Sequence, residues 1–311
     1  MDFEKAKQFP SIVNINVMSG RCPCSCVHCP MGSVAPPERF GRFGLREMDL
    51  ALFFRIVEEI SQNNSLIRIH SVGEPLLWRN LPDSLPVLRN FGVKSWLFTS
   101  AVTDNKELLV ELCENISIIE VSVNATKADE YCKTKGIDAF GMVSENIAFM
   151  SQHVRKNGLN TRLLLSRVQT NDETSDNKFI AYWKDKQLAD DVFVRSYHNY
   201  NNILDIRGEA DVKKPCLVHW ARASIDCDGT VVCCFNELFK KYSDDVILGR
   251  LDEQTSIKQI WKGDKLALIR SCDMSGDFSR LPFKIPCESC RTCQPLDTVR
   301  ETSEKQLNAI T

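Results

Sequence analysis

Cysteines are concentrated in a few short stretches of this chain, and this clustering constrains its fold more than any other feature. The chain has 14 cysteines in 311 residues; four lie within Cys22–Cys29 and three within Cys287–Cys293. The N-terminus lacks the basic and then apolar layout of a secretory signal, so we expect a cytoplasmic protein with reduced thiols. Clustered reduced thiols indicate metal binding or catalysis. The cysteines between the two clusters include Cys216, Cys227, Cys233 and Cys234.

The overall composition indicates a globular protein. Apolar residues make up 43% of the chain and charged residues 26%, as in ordinary folded domains. Thirty-nine basic and 41 acidic residues give a net charge of −2, which argues against nucleic acid as the partner. No uninterrupted apolar stretch reaches the roughly 18 residues of a membrane-spanning helix, so we expect no membrane partner.

Strand-like and helix-like segments alternate over the first two thirds of the chain. Helical spacing of apolar residues occurs at Asp49–Gln62, Asn105–Glu114 and Phe140–Asn157. This alternation predicts an α/β fold of parallel β-α units, and six units predict an open, partial (β/α)6 barrel with ligands at the C-terminal ends of its strands. The predicted strands are Ile12–Val17, Leu66–His70, Lys94–Thr99, Ile118–Val123, Thr161–Val168 and Val192–Tyr197.

The pattern changes near Gly208–Lys214, where a turn-rich, cysteine-rich region begins. Short β-prone runs flank Asp226–Gly229, and a helix is predicted at Ser256–Ile269. We therefore predict a barrel domain over residues 1–213, a small metal-organised domain over 214–295 and a C-terminal tail over 296–311.

The first cysteine cluster follows directly on the first predicted strand. Cys22, Cys26 and Cys29 form a C-x3-C-x2-C motif. Three thiolates so close together can bind three irons of a cubane cluster and leave the fourth iron open for chemistry. A zinc site is the alternative, with Cys24 or His28 as the fourth ligand.

This motif resembles that of the radical S-adenosylmethionine (SAM) superfamily, C-x3-C-x-Φ-C, with His28 at the aromatic position Φ. The resemblance implies a [4Fe–4S] cluster held by Cys22, Cys26 and Cys29 and chelated by SAM. It also implies reductive cleavage of SAM to a 5′-deoxyadenosyl radical, which abstracts a hydrogen atom from the substrate. An electron donor such as flavodoxin or ferredoxin would reduce the cluster.

The resemblance also implies particular contacts to SAM. Ser71-Val-Gly-Glu-Pro75 is similar to the family's Gly-Gly-Glu segment, which assigns the methionyl amino group to Gly73 and Glu74, although Val72 replaces the first glycine. Thr99-Ser-Ala departs from the family's Thr-Asn-Gly. The other implied contacts are Ser122 and Asn124 to the ribose and Ser166 and Arg167 to the methionyl carboxylate.

The second set of cysteines resembles the SPASM/twitch appendage of radical SAM enzymes. Cys216, Gly229 and Cys234 read C-x12-G-x4-C, and Cys287-x2-Cys290-x2-Cys293 follows. The full SPASM motif has further cysteines for a second cluster, so we predict one auxiliary [4Fe–4S] cluster. A zinc ribbon is the alternative, and Cys293 remains an alternative to Cys290. The predicted ligands are Cys216, Cys234, Cys287 and Cys290.

Adjacent residues on a strand point to opposite faces, so only one of Cys233 and Cys234 should ligate the cluster. Either one remains open as the ligand. Epimerases of the family return a hydrogen atom to the substrate from a cysteine thiol. Cys233 and Cys227 are therefore candidate catalytic residues, with ordinary packing as the alternative. Arg39 and Arg42 belong either to a solvated loop or to a site for an anionic substrate.

We therefore predict a radical SAM oxidoreductase or epimerase that acts on a small-molecule substrate of the sugar or aminocyclitol type. Dehydrogenation would pass the second electron to the auxiliary cluster. A peptide-modifying or maturation enzyme is the second hypothesis, although only about 11 residues precede the first predicted strand, too few for a leader-binding domain. A zinc-binding nucleic-acid module is the third.

Overall fold

A computed structural model describes residues 3–205 and 215–290. Its strands form one ten-stranded sheet in the order β10-β9-β8-β1-β3-β4-β5-β6-β7, with β2 paired to β1. The strands are β1 (Ile12–Ser19), β2 (Arg46–Glu47), β3 (Leu66–Val72), β4 (Ser95–Thr99), β5 (Ile118–Ser122), β6 (Arg162–Val168), β7 (Asp191–Arg195), β8 (Arg222–Ile225), β9 (Thr230–Val232) and β10 (Ile247–Arg250).

The helices follow the strands of the barrel and continue into the C-terminal part. They are α1 (Phe3–Ala6), α2 (Arg39–Phe43), α3 (Leu50–Gln62), α4 (Leu81–Asn90), α5 (Lys106–Asn115), α6 (Ala128–Lys135), α7 (Phe140–Lys156), α8 (Glu173–Asp185), α9 (Leu217–Ala221), α10 (Ile257–Trp261) and α11 (Asp264–Ser275). No helix within the described ranges is long and apolar enough to span a bilayer.

Capping side chains explain where several of these helices begin. Asp49 precedes α3 and accepts a hydrogen bond from the amide of Ala51. Asn105 does the same for α5, and Asp172 for α8. Each side chain satisfies a backbone donor that has no partner inside the helix.

The six predicted strands are all present and pair in parallel, as β1, β3, β4, β5, β6 and β7. The prediction of an α/β fold built on parallel β-α units is therefore confirmed. The predicted helix at Ser256–Ile269 was wrong in one respect: Gly263 interrupts it, so α10 ends at Trp261 and α11 begins at Asp264. The predicted domain boundary at 213 and the tail at 296–311 lie outside the described residues.

Side chains of the parallel strands alternate between two environments. One face carries Ile67, Ile69 and Leu97, which belong to the large core shared with the helices. The opposite face carries Leu66 and Trp96, which pack together with Ile12, Ile118 and Leu164 in a smaller cluster. This second face lines the inside of the barrel.

The C-terminal part continues the same sheet. β8 pairs in parallel with β1, on the side opposite β3, with Ile12 beside Arg222 and Ile15 beside Ile225. β9 and β10 then add antiparallel strands. The cysteine-rich region is thus joined to the barrel by backbone hydrogen bonds.

Candidate active site

The inner face of the barrel encloses a cavity of about 340 Å³ at the C-terminal ends of its strands. The loop after β1 forms one wall and brings Cys22, Cys26 and Cys29 to the cavity. His28 also lines it and is 8% exposed. The three predicted thiols therefore share one site with the barrel interior.

Backbone contacts fix the shape of this cysteine loop. The amides of Ser25 and Val27 donate to the carbonyls of Lys135 and Thr134, at the end of α6, over 2.7 and 3.0 Å. A Cβ atom on Gly32 would lie 2.0 Å from the carbonyl oxygen of Cys26. Only glycine allows the chain to fold back this closely.

Arg39 has a structural role at the site that differs from both roles considered in the sequence analysis. It is 2% exposed, and its guanidinium donates to the carbonyl oxygens of Val34, Cys22 and Cys24 over 3.0 to 3.1 Å. It also donates to Ser25 Oγ over 2.6 Å. Arg39 therefore holds the cysteine loop from behind and lies neither in a solvated loop nor among the residues that line the cavity.

Replacing Arg39 with methionine is expected to lower the free energy of unfolding by about 3 kcal/mol, because buried carbonyl oxygens lose their donor. Arg42→Met is the matched control: Arg42 is exposed three residues away, and its loss should change stability by less than about 0.5 kcal/mol. Anaerobic urea denaturation of both variants measures the difference. Equal stability of the two variants would contradict this role for Arg39.

The thiols of the loop are held in a buried, mutually interacting group. Contact with the Cys22 thiol raises the pKa of Cys24 to about 11. Contact with Cys24, together with burial, raises the pKa of Cys26 to about 12, and burial raises that of Cys29 to about 12. The ammonium of Lys135 opposes these increases, because its positive charge favours the thiolate form of all three residues. These thiols can still serve as thiolate ligands of an iron–sulfur cluster, because iron displaces their protons when it binds.

Gly73 and Glu74 lie beside the cysteine loop. A Cβ atom on Gly73 would lie 2.2 Å from the carbonyl oxygen of Arg21, so this position requires glycine. Glu74 is 2% exposed and lines the cavity. Its carboxylate accepts hydrogen bonds from Thr99 Oγ1 at 2.6 Å and from the amide and hydroxyl of Ser100 at 2.8 and 2.5 Å. Thr99-Ser100, which departs from the family's pattern, thus serves to hold Glu74.

Ser122, the last residue of β5, and Asn124, two residues later, occupy different environments. Ser122 lines the cavity and accepts a hydrogen bond from Lys135 Nζ over 3.2 Å. Asn124 is 1% exposed and has a φ of +62°. Its side chain donates to Ser122 Oγ and accepts from the amide of Val168 at 2.7 Å each. Asn124 is therefore placed to join the ends of β5 and β6, outside the cavity lining.

Ser166 and Arg167 are adjacent on β6, so their side chains point to opposite faces. Ser166 lines the cavity. The guanidinium of Arg167 lies on the helix side, 3.2 Å from Glu130 and 3.3 Å from Asp176. The structure therefore places Arg167 away from the cavity, and its assignment to the methionyl carboxylate does not agree with this position.

The cavity floor carries a charged group that the sequence analysis missed. Arg68, Arg195 and Arg222 line it, together with the carboxylate of Glu120 and the ring of His70. Two of these residues could have been found from the sequence, because alternation along β3 places Arg68 and His70 on the same face as Leu66.

The auxiliary cysteines also lie near one another. Burial raises the pKa of Cys234, and the thiols of Cys287, Cys216 and Cys290 raise it further. This proximity favours Cys234 as the ligand, although Cys233 also contacts the thiol of Cys287. Four thiols from two distant segments fit a [4Fe–4S] cluster. Cys293 lies outside the described residues.

Asp273 on α11 organises this second site, and no sequence pattern indicated it. Its carboxylate accepts hydrogen bonds from the amide of Cys216 at 3.0 Å and from Trp220 Nε1 at 3.1 Å. It also lies 3.5 Å from His219 Nδ1, while His219 Nε2 lies 3.4 Å from the sulfur of Cys287. Burial alone would lower the pKa of His219, but Cys287 and Asp273 raise it to about 10.

The two candidate catalytic thiols do not lie at the cavity. Cys227 is 3% exposed, with its sulfur 3.8 Å from Ser19 Oγ and 3.7 Å from the carbonyl oxygen of Arg46. Cys233 is also 3% exposed and packs in the large core. Neither is among the cavity-lining residues. The predicted role of both as hydrogen donors therefore lacks the required position.

Among residues 3–205 and 215–290, no three His, Cys, Asp or Glu side chains are arranged to bind one shared metal ion. An iron–sulfur cluster places a different demand on the protein, because each thiolate binds its own iron.

Comparison with known proteins agrees with this architecture. The family model of SPASM, an iron–sulfur cluster-binding domain, matches residues 216–294. PqqA peptide cyclase of Xanthomonas oryzae pv. oryzae is 29% identical over 118 residues, which is 36% of this chain. The match spans only 30% of that curated relative's length.

Solved structures show the same fold. Streptococcus suis SuiB bound to the precursor peptide SuiA superimposes with a TM-score of 0.67 at 13% identity, over 86% of this chain and 69% of SuiB. BtrN in complex with AdoMet and 2-DOIA gives a TM-score of 0.53 at 18% identity, over 93% and 94% of the two chains. Native anSMEcpe with bound AdoMet gives a TM-score of 0.61 at 14% identity, over 96% of each chain.

The barrel has the fold of these solved structures, and the C-x3-C-x2-C loop lies at the C-terminal ends of its strands. Residues 216–294 match the SPASM family model, in agreement with the resemblance that the second cysteine motif carries. This match agrees with the predicted auxiliary iron–sulfur cluster, because SPASM is a cluster-binding domain.

Proposed function

We propose that the chain cleaves SAM reductively and abstracts a hydrogen atom from a polar substrate bound in the barrel cavity. The observation that carries this proposal is the shared cavity, which joins Cys22, Cys26 and Cys29 to the polar ends of the barrel strands. A [4Fe–4S] cluster held by these thiols, with SAM bound to it, would supply the radical. The barrel wall would exclude water from the reacting atoms.

The residues beside the loop have defined tasks in this proposal. Lys135 supplies a buried positive charge next to the thiolates. Gly73 leaves room for the chain to approach Arg21, and Glu74 is held rigidly by Thr99 and Ser100. We assign Gly73 and Glu74 to the methionyl amino group, with Ser122 and Ser166 as the other contacts from the barrel to SAM.

A peptide is the first candidate substrate. The curated relative that matches part of the chain is a peptide cyclase, and SuiB was solved with a precursor peptide. A small polar molecule is the second candidate, since BtrN, solved with 2-DOIA, matches nearly the full length of both chains. The electron donor would be a flavodoxin or ferredoxin.

Oxidation fits the site better than epimerisation. Epimerisation needs a non-ligand thiol near the substrate radical, and neither candidate donor, Cys227 or Cys233, lines the cavity. Cys24 does line it, but its thiol is engaged with those of Cys22 and Cys26 inside the cysteine loop. The expected product is therefore two hydrogens lighter than the substrate.

The direct test is an anaerobic assay of the reconstituted full chain with SAM and dithionite. We expect 5′-deoxyadenosine to form, and its absence from protein with intact clusters would refute the proposal. Peptides encoded beside the gene and aminocyclitols then serve as separate substrate arms, run in deuterated water. A product two hydrogens lighter supports oxidation. A product of unchanged formula with one carbon-bound deuterium would establish epimerisation instead.

A further inference from the structure

The floor of the cavity carries an excess of buried positive charge. Arg68, on β3, is 5% exposed, and Arg195 and Arg222 line the same floor. Glu120, 1% exposed, is the carboxylate among these residues. Three guanidiniums thus share this floor with one carboxylate; Arg195 and Arg222 are half-buried, and Arg222 also lies near the thiols of Cys216 and Cys234.

Glu120 is already engaged by other groups. Arg195 donates to both of its carboxylate oxygens, and Trp96 Nε1 donates to one of them over 3.1 Å. Within the described part of the chain, Arg68 has no carboxylate at ion-pair distance, and its Nε has no hydrogen-bond partner. A buried guanidinium without an anionic partner is costly to keep.

Aromatic rings hold the guanidiniums in place. Arg68 lies 4.5 Å from the ring centre of Trp96 and 5.0 Å from that of Phe98. Arg195 lies 5.6 and 5.2 Å from the same two rings. Both cations are therefore positioned on one rigid aromatic surface: Arg195 donates to Glu120, and Arg68 has no carboxylate at ion-pair distance among residues 3–205 and 215–290.

The neighbouring histidines add hydrogen-bonding capacity without adding charge. Burial, and then the guanidiniums of Arg68, Arg195 and Arg222, lower the pKa of His70 well below its usual value. Burial, Arg222 and Arg195 lower the pKa of His198 to about 4. Both rings are therefore neutral at pH 7.

We infer that Arg68, with Arg195 and Arg222, forms a subsite on the cavity floor for an anionic oxygen group of the substrate, a carboxylate or a phosphate. This inference rests on the proposed function, since it names the class of substrate bound in the same cavity. A planar guanidinium fork matches either group through two parallel hydrogen bonds.

The subsite is separate from the SAM contacts at the strand ends. Arg68 and Val72 are four positions apart on β3, which corresponds to about 13 Å along the strand. Gly73 and Glu74 follow Val72, beside the cysteine loop. The substrate anion would thus be held deep in the barrel, with the reacting carbon between it and the loop.

Calorimetry on the reconstituted full chain tests the subsite, with inorganic phosphate and succinate as separate probes. We expect saturable binding of at least one probe, weakened about tenfold or more in Arg68→Met. Arg89→Met, which removes an exposed arginine from α4, should bind as the wild type does. Preference for succinate assigns a carboxylate, and preference for phosphate assigns a phosphate. Absence of binding by both probes, or equal affinity in Arg68→Met, would overturn the inference.

Thermal denaturation gives a second readout that does not depend on calorimetric heat. The bound probe should raise the melting temperature of the wild type by mass action and leave that of Arg68→Met unchanged. Arg68→Met should itself melt no lower than the wild type, because it removes a buried charge beside like charges. An equal rise in both proteins would overturn the inference.

The SAM assay separates this inference from the proposed function. A wild-type chain that cleaves SAM but binds neither probe would overturn the subsite alone. One that binds a probe through Arg68 but forms no 5′-deoxyadenosine would support the subsite and refute the radical chemistry.

Discussion

Cys26→Ala is expected to abolish reductive cleavage of SAM while about four irons remain bound through the auxiliary thiols. The Cys26 thiol lies in the middle of the buried group, in contact with Cys24 and His28. Loss of one of three ligands should prevent assembly of a cluster with an open iron. Chromatographic measurement of 5′-deoxyadenosine and iron analysis after anaerobic reconstitution check both parts.

Cys24→Ala is the matched control for this prediction. Cys24 lies in the same loop, is 1% exposed and also lines the cavity. We expect this variant to keep both SAM cleavage and about eight irons. Loss of the cluster in Cys24→Ala, with retention in Cys26→Ala, would show that a different triplet of thiols binds it.

Cys234→Ala is expected to lower the iron content from about eight to about four per chain, through loss of the auxiliary cluster. The thiols of Cys216, Cys287 and Cys290 all raise the pKa of Cys234, so Cys234 lies near each of them. Removing it leaves three thiols where the proposed cluster needs four. Iron and sulfide analysis, with electron paramagnetic resonance of the reduced protein, measures the loss.

Cys233→Ala serves as the comparison, since the two cysteines are adjacent and Cys233 packs in the core. It should keep the auxiliary iron and lose only a small amount of stability. The reverse result, with iron lost in Cys233→Ala and kept in Cys234→Ala, would exchange their assignments. Stoichiometric zinc in the wild type would instead support a zinc ribbon.

Much of the barrel was predictable because parallel strands and amphipathic helices leave strong periodic patterns. α3, α5 and α7 each bury a clear apolar stripe. α4, α6 and α8 were missed. Helix α4 buries Leu81, Leu85 and Leu88 at helical spacing, but Pro86 in its interior argues against a helix. Helix α6 buries only Tyr131 and Lys135, so its apolar pattern is weak. Tertiary contacts decide the conformation of such segments.

The candidate site shows a similar division between what local sequence reveals and what only packing reveals. The first cysteine motif was visible because its ligands are close in sequence, and the second because its cysteines form two recognisable local patterns. Arg167 was misplaced because the alternation of strand side chains, which separates it from Ser166, was not applied there. The structural roles of Arg39 and Asp273 could not be identified, because each contacts backbone groups that only the folded chain brings near.

The pairing of β8 with β1 determines when the sheet can be completed. Ile12 and Arg222 are partners across 210 positions of sequence, so one edge of β1 stays open until most of the chain has been synthesised. An unpaired edge is prone to pair with other chains, and such long-range pairing forms slowly. Because β1 leads into the cysteine loop, we expect a chain truncated before β8 to aggregate, and the intact chain to melt in a single transition.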